Sequence, residues 1–241
     1  MSGPADQQTT GSGVTDRAGT EPPKAHAHRV VGETRWPMAV AVVAIVVMTI
    51  LLPNSLIVHP RWGVPVLECL LLVAVIIGDP GKIDRRSRPV RILSVTLIAL
   101  LVGTTLWCTG VLIAQLVVGG PAANSAGALL AAGGMVWLTN CIAFGLLYWE
   151  LDSGGPAVRA HGLPAHPDFA FPQQMNPDLA PADWRPRFID YLYLGFTSAT
   201  AFSPTDVMPL RAWNKIAMMV QSTISLVLLG LVIARAVNVL R

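Results

Sequence analysis

Long apolar stretches that hold almost no charge limit this chain more than any other feature. A helix needs about 20 mostly apolar residues to cross the hydrocarbon core of a bilayer. Residues 38–58 make the first such stretch, with Pro37 suited to a first helical turn and Pro53 interrupting the run. Residues 62–78, 92–118, 127–148 and 213–240 make four more. Composition agrees: 53% of the 241 residues are hydrophobic and 13% are charged, against roughly 25% charged in soluble domains. The expected fold is all-α, a polytopic transmembrane helical bundle of five full spans plus a short re-entrant or sixth helix within 188–202. The lipid bilayer is its first expected partner.

The punctuation between these stretches divides the chain. Residues 1–35 are polar and aperiodic, so they are expected to form a disordered tail that insertion does not need. They lack the apolar core of a signal peptide. Residues 36–148 hold four expected membrane helices, with stop signals at Gly78-Asp79-Pro80-Gly81 and Gly119-Gly120-Pro121. Residues 149–187 carry prolines from Pro156 to Pro186 and read as an irregular loop outside the membrane. Residues 188–241 read as a short helix, a polar turn at Ser203-Pro204-Thr205-Asp206 and a last span. A scattered net charge of +3 argues against nucleic acid as a partner. Cys69, Cys108 and Cys141 lie in apolar runs without ligand spacing, so no metal or cofactor is expected. No Ser-His-Asp or Cys-His set falls at membrane depth, and no enzymatic activity is expected.

A short apolar helix, a polar turn and a full span make the outline of a pore loop. Thr197-Ser198-Ala199-Thr200-Ala201-Phe202-Ser203-Pro204-Thr205-Asp206-Val207-Met208-Pro209 resembles the pore helix, filter and exit of potassium-type channels. Thr200, Asp206 and Pro209 stand at that family's threonine, aspartate and proline, with Trp213 and Lys215 following. Ser203 and Thr205 replace both filter glycines, and Pro204 takes the tyrosine place. A filter depends on glycine to turn successive carbonyls inward, so the resemblance implies a degenerate filter without strong potassium selectivity. It also implies a homo-oligomer, a tetramer if pore-forming. The C-terminal half is similar, more closely, to an uncharacterised bacterial family of multi-spanning inner-membrane proteins. Phe171-Pro172, Asp190-Tyr191, Phe196-Thr197, Thr205-Asp206-Val207 and Val237-Asn238 carry that likeness. It implies a multi-pass protein of the bacterial inner membrane and supplies no mechanism.

The candidate pore or packing residues are therefore Thr197, Ser198, Thr200, Ser203, Thr205, Asp206, Gln221 and Ser225. Gln221, Ser225 and Arg235 share one face of the last span, which reads either as the lining of a water-filled path or as glue between helices. Glu68 is an intramembrane acid, hence a functional candidate; the plainer reading puts it near an interface, one to two turns inside the Trp62 end. Asn140 and Gln115 read as interhelical hydrogen-bonding groups. Asp190 is a candidate cap for the short helix. His161, His166 and Asp168 read as a solvated loop. The bases of 79–91 are expected on the cytoplasmic side, together with the N-terminus. The short segment then either crosses fully, giving six spans, or re-enters from the cytoplasm, giving five and an outside C-terminus. The leading reading is a channel-like or channel-derived module; the alternatives are a non-conducting structural or partner-binding protein and, third, a small-solute transporter, for which no repeat or broken-helix pair is evident.

Overall fold

Proline and glycine set where each apolar run starts and stops being helical. The computed structural model describes residues 32–83, 87–120, 125–164, 166–181, 184–200 and 206–240. A two-residue strand β1 (Glu33–Thr34) leads into α1 (Trp36–Leu51), which carries Pro37 in its first turn. The helix ends because Pro53 forces the residue before it out of the α region, and Leu52 has ψ 150°. α2 (Gly63–Gly78) and the strand β2 (Lys82–Ile83) follow. α3 (Arg88–Val118) stops at Gly119, whose φ of 89° is left-handed. Next come α4 (Ala126–Leu151), the single turn α5 (Pro156–Arg159), β3 (Phe169–Ala170), the single turn α6 (Pro172–Met175), α7 (Phe188–Thr200), β4 (Met208–Pro209) and α8 (Ala212–Leu240).

α3, α4 and α8 are long and apolar enough to cross a membrane. α1 and α2 have 16 residues each, about 24 Å of helix against a hydrocarbon core of about 30 Å. The expected 38–58 stretch is thus helical only as far as Leu51. Its remainder folds back as a 3-10 turn (Asn54–Leu56), with Leu52, Leu56 and Ile57 buried against Cys108, Leu112 and Leu116 of α3. α3 begins four residues before the expected 92, so Arg88 and Arg91 belong to its first turn.

One expected boundary shifts. Residues 33–35, assigned to the tail, belong to the fold: β1 pairs antiparallel with β2, Glu33 opposite Ile83, and Arg35 Nη2 donates to Asp79 Oδ2 at 2.8 Å. Residues 1–31 lie outside the described residues. The 149–187 segment, expected to be an irregular loop, holds short helical turns and a strand and reaches into the core. Phe169 is fully buried and packs edge-on to Tyr148, Tyr191 and Trp213.

α4 is the central helix, packed against α1, α3, α7 and α8. Landmarks along it fix every direction. Trp149, at its end, meets Glu33 just before α1 and Phe188 at the start of α7. Arg91 of α3 donates to Gly154 O just beyond α4. Phe169, edge-on to Tyr148, also meets Trp213 at the start of α8. α1, α3, α7 and α8 therefore all begin at one end of the bundle, called here the proximal end, where α2 and α4 finish. α8 runs the full depth, reaching Gly133 with Val232 and Gly119 with Arg235. α7 stops half-way, beside Trp137. After it the chain is back at the proximal end by β4, which pairs with β3. The segment enters the bundle and returns; it does not pass through.

Candidate functional site

A helix that ends inside a bundle leaves its last carbonyls without partners, and the sequence around α7 meets that need. Ser222 Oγ of α8 donates to Ser198 O at 2.8 Å, and Trp137 Nε1 of α4 donates to Ala199 O at 3.4 Å. Gln221 Nε2 donates to Gly195 O at 2.7 Å, while its Oε1 accepts from Tyr148 OH at 2.6 Å. Asn140 Nδ2 donates to Ser225 Oγ at 2.8 Å. Glycine permits the approach: a Cβ on Gly195 would stand 2.5 Å from Cys141 O, and one on Gly145 would stand 3.1 Å from Leu192 Cα. The start of α7 is closed by Asp190, whose Oδ2 accepts the Arg187 N–H at 2.7 Å.

Thr197, Ser198, Gln221 and Ser225 thus come together, buried between α4, α7 and α8. Thr197 and Thr200 bond back to carbonyls of α7 itself. Asp206 is exposed on the return segment. Ser203 and Thr205 lie outside the described residues. Glu68 lies one to two turns inside the start of α2, yet deep within the bundle. It is fully buried opposite Thr104, half-way along α3, whose hydroxyl donates to Glu68 Oε1 at 3.4 Å; among the described residues Oε2 has no hydrogen bond. Gln115, expected to bond another helix, donates instead to Ser55 O of the 3-10 turn after α1.

The proximal end carries a polar network that the sequence reading did not anticipate. Arg159 Nη1 caps α4 by donating to Trp149 O and Asp152 O at 2.8 and 2.7 Å, and its guanidinium lies 4.9 Å from the Tyr191 ring centre. Tyr191 OH donates to Asp152, which also accepts from Ser153 Oγ and the Phe169 N–H. Glu33 takes the Phe188 N–H at 2.5 Å and Trp149 Nε1 at 2.8 Å. Burial raises the Glu33 pKa above its ordinary 4.5, outweighing those bonds and the Arg159 and Arg187 charges. Asp168, read as a solvated loop residue, instead anchors the return segment: its carboxylate meets Arg211 at 3.2 Å and its carbonyl accepts from Asn214. Among the described residues no group of three metal-ligating side chains occurs.

Beside this network lies a cavity of about 260 Å³. Arg88, Arg91 and Ser94 of α3 form one side, Trp149, Glu150 and the 154–158 turn another, and the Arg35–Asp79 pair a third. Gly155, at φ 96°, gives that turn a backbone shape other residues rarely adopt. The two arginines were visible in the sequence as part of a basic loop. What could not be read was that a helix starting at residue 88 would aim them at the end of α4.

The fold is a mostly helical bundle in which three helices are long and apolar enough to cross a membrane. Comparison with family models, with curated proteins and with solved structures finds no match for this chain.

Proposed function

We propose that the chain is an integral protein of the bacterial inner membrane in which α1, α2, α3, α4 and α8 cross the bilayer, α7 re-enters from the cytoplasmic side, and the whole serves as a non-conducting binding or scaffolding protein. The outward faces of the helices support the membrane placement: Val40, Val43 and Val47 on α1, Leu70, Val73 and Ile77 on α2, and Ile216, Met219 and Ile233 on α8 are apolar and exposed. Soluble monomers rarely leave so much contiguous apolar surface in water. The bases support the orientation, because Lys82, Arg88, Arg91, Arg187, Arg211 and Lys215 all gather at the proximal end. That arrangement keeps the N-terminus inside and accommodates the return of α7.

One observation carries the non-conducting reading. The side chains that would line a path, Gln221, Ser225, Asn140 and Tyr148, are buried and paired with one another or with α7 inside a single chain. Such pairing is what polar groups between membrane helices do as glue. A second reading, a channel-like assembly of copies with four as the potassium-type number, is favoured by the half-depth α7 followed by α8 from the same end. Flux in liposomes decides. Purified full-length protein is expected to pass sodium, potassium and chloride no faster than empty liposomes. Cation flux above that control, abolished by Gln221→Leu, would reverse the choice.

A further inference from the structure

The start of α3 carries the wrong charges for a helix start. The helix dipole places about half a positive charge there and favours anions. Yet the first turn has no acid, contains Arg88 and Arg91, and follows Ser87, whose side chain makes no capping bond. Arg91 is engaged with Gly154 O. Arg88 is exposed and, among the described residues, makes no hydrogen bond or ion pair. Three positive contributions thus converge on one side of the cavity. Near Arg91, with both side chains within 4 Å of where a Gly155 Cβ would stand, is Glu150, 4% exposed, lining the same cavity and, among the described residues, without a hydrogen bond to its carboxylate. Arg35 and Asp79, on the third wall, pair with each other and cancel. Val90, Pro156, Ala157 and Val158 supply apolar surface between the charged groups. The space of about 260 Å³ far exceeds the roughly 15 Å³ one water needs.

A ligand that completes this site has an anion for Arg88 and the α3 terminus, and a hydrogen-bond donor for Glu150. We propose that the cavity binds a phospholipid headgroup that carries a donor beyond its phosphate, an ethanolamine or glycerol headgroup and not choline. The phosphodiester sits against Arg88 and the start of α3. The ammonium or hydroxyl reaches the Glu150 carboxylate. Choline has no N–H or O–H to offer it. This rests on the membrane placement given above, which puts the proximal end at headgroup depth.

The test uses full-length protein in detergent, with phosphatidylethanolamine, phosphatidylglycerol and phosphatidylcholine of identical acyl chains. Melting temperature and lipid retention by native mass spectrometry are the readouts. Wild type is expected to retain the first two lipids about tenfold over phosphatidylcholine, the effect of one charge-assisted hydrogen bond. Arg88→Gln, an exposed change, is expected to weaken all three and to raise the lipid-free melting temperature, because it removes a misplaced charge. Glu150→Leu is expected to erase the preference over phosphatidylcholine. Inorganic phosphate and glycerophosphoethanolamine are expected to leave the melt unchanged, since the acyl chains hold the headgroup at the site. Equal retention of phosphatidylcholine, or an Arg88→Gln variant that binds like wild type, overturns the proposal. Carbonate-washed membranes separate the two claims: a chain that stays in the pellet but keeps no lipid refutes the headgroup site alone, whereas a chain that washes off refutes the membrane placement as well.

Discussion

Gly195→Ala tests the α4–α7 contact with the smallest possible change. The new Cβ would stand 2.5 Å from Cys141 O and 3.0 Å from Gly145 N, the first 0.9 Å short of the 3.4 Å at which ordinary contact begins. Both obstacles are backbone of α4, so no side chain can swing aside, and α7 must back away by about that amount. Overpacking of this kind costs about 1–3 kcal/mol. The retreat also strains the Trp137–Ala199 bond, already 3.4 Å long; such interhelical bonds contribute about 0.6 kcal/mol each. Alanine's better helix propensity offsets about 1 kcal/mol. The expected net loss is about 1–2 kcal/mol, a factor of roughly 5–30 in the folded-to-unfolded ratio. Unfolding of the purified protein by a denaturing detergent measures it. Gly230→Ala and Gly103→Ala are the controls, because a Cβ at either meets nothing within 4 Å. Those variants are expected to match wild type or gain up to about 1 kcal/mol. If Gly195→Ala unfolds like Gly230→Ala, the close approach of α7 to α4 is wrong.

Three further outcomes are expected. Asp79→Ala strands the buried Arg35 guanidinium and is expected to cost about 3–5 kcal/mol, much of it recovered in the Arg35→Met/Asp79→Ala double variant; equal losses in both would show that the ion pair is not what matters. Burial holds the Glu33 pKa above 4.5, so the native state keeps that proton to higher pH than the unfolded chain, and stability should fall as pH rises from 4.5 through the raised value. Melts across that window are expected to flatten in Glu33→Gln, and an unchanged slope would count against the assignment. A cysteine at Ser87, in a background lacking Cys69, Cys108 and Cys141, is expected to resist impermeant thiol reagents in intact cells and to react after permeabilisation; rapid labelling in intact cells would invert the orientation.

The sequence showed the helices more clearly than their depths. The cores of α3, α4 and α8 follow from uninterrupted apolar composition, and α7 from its short length and the polar turn after it. Glu68 stands one to two turns inside the start of α2, as the count from Trp62 gives, but that start is not an end of the bundle. The 52–57 segment is instead packed against the later turns of α3, so Glu68 lies level with Thr104. The pairing of Gln221 and Ser225 was legible as a face of α8, but their partners Tyr148 and Asn140 depend on the rotation of α4, which no periodicity in an almost wholly apolar helix reveals. Arg159 could not be picked out, because its work as a cap depends on a turn that returns it to the end of its own preceding helix.

Glu33 bonds a backbone N–H that lies 155 positions later in the chain. At about 5–20 residues per second of synthesis, its carboxylate waits roughly 8–30 s before Phe188 exists. During that interval α1 can already have formed while the acid before it remains bound to water. The proximal end therefore cannot close as the helices arrive one by one. It closes late, when α7 docks on α4 and draws β1, the end of the central helix and the start of α7 into one contact, so that residues from the start of the bundle act as a latch on one of its later helices.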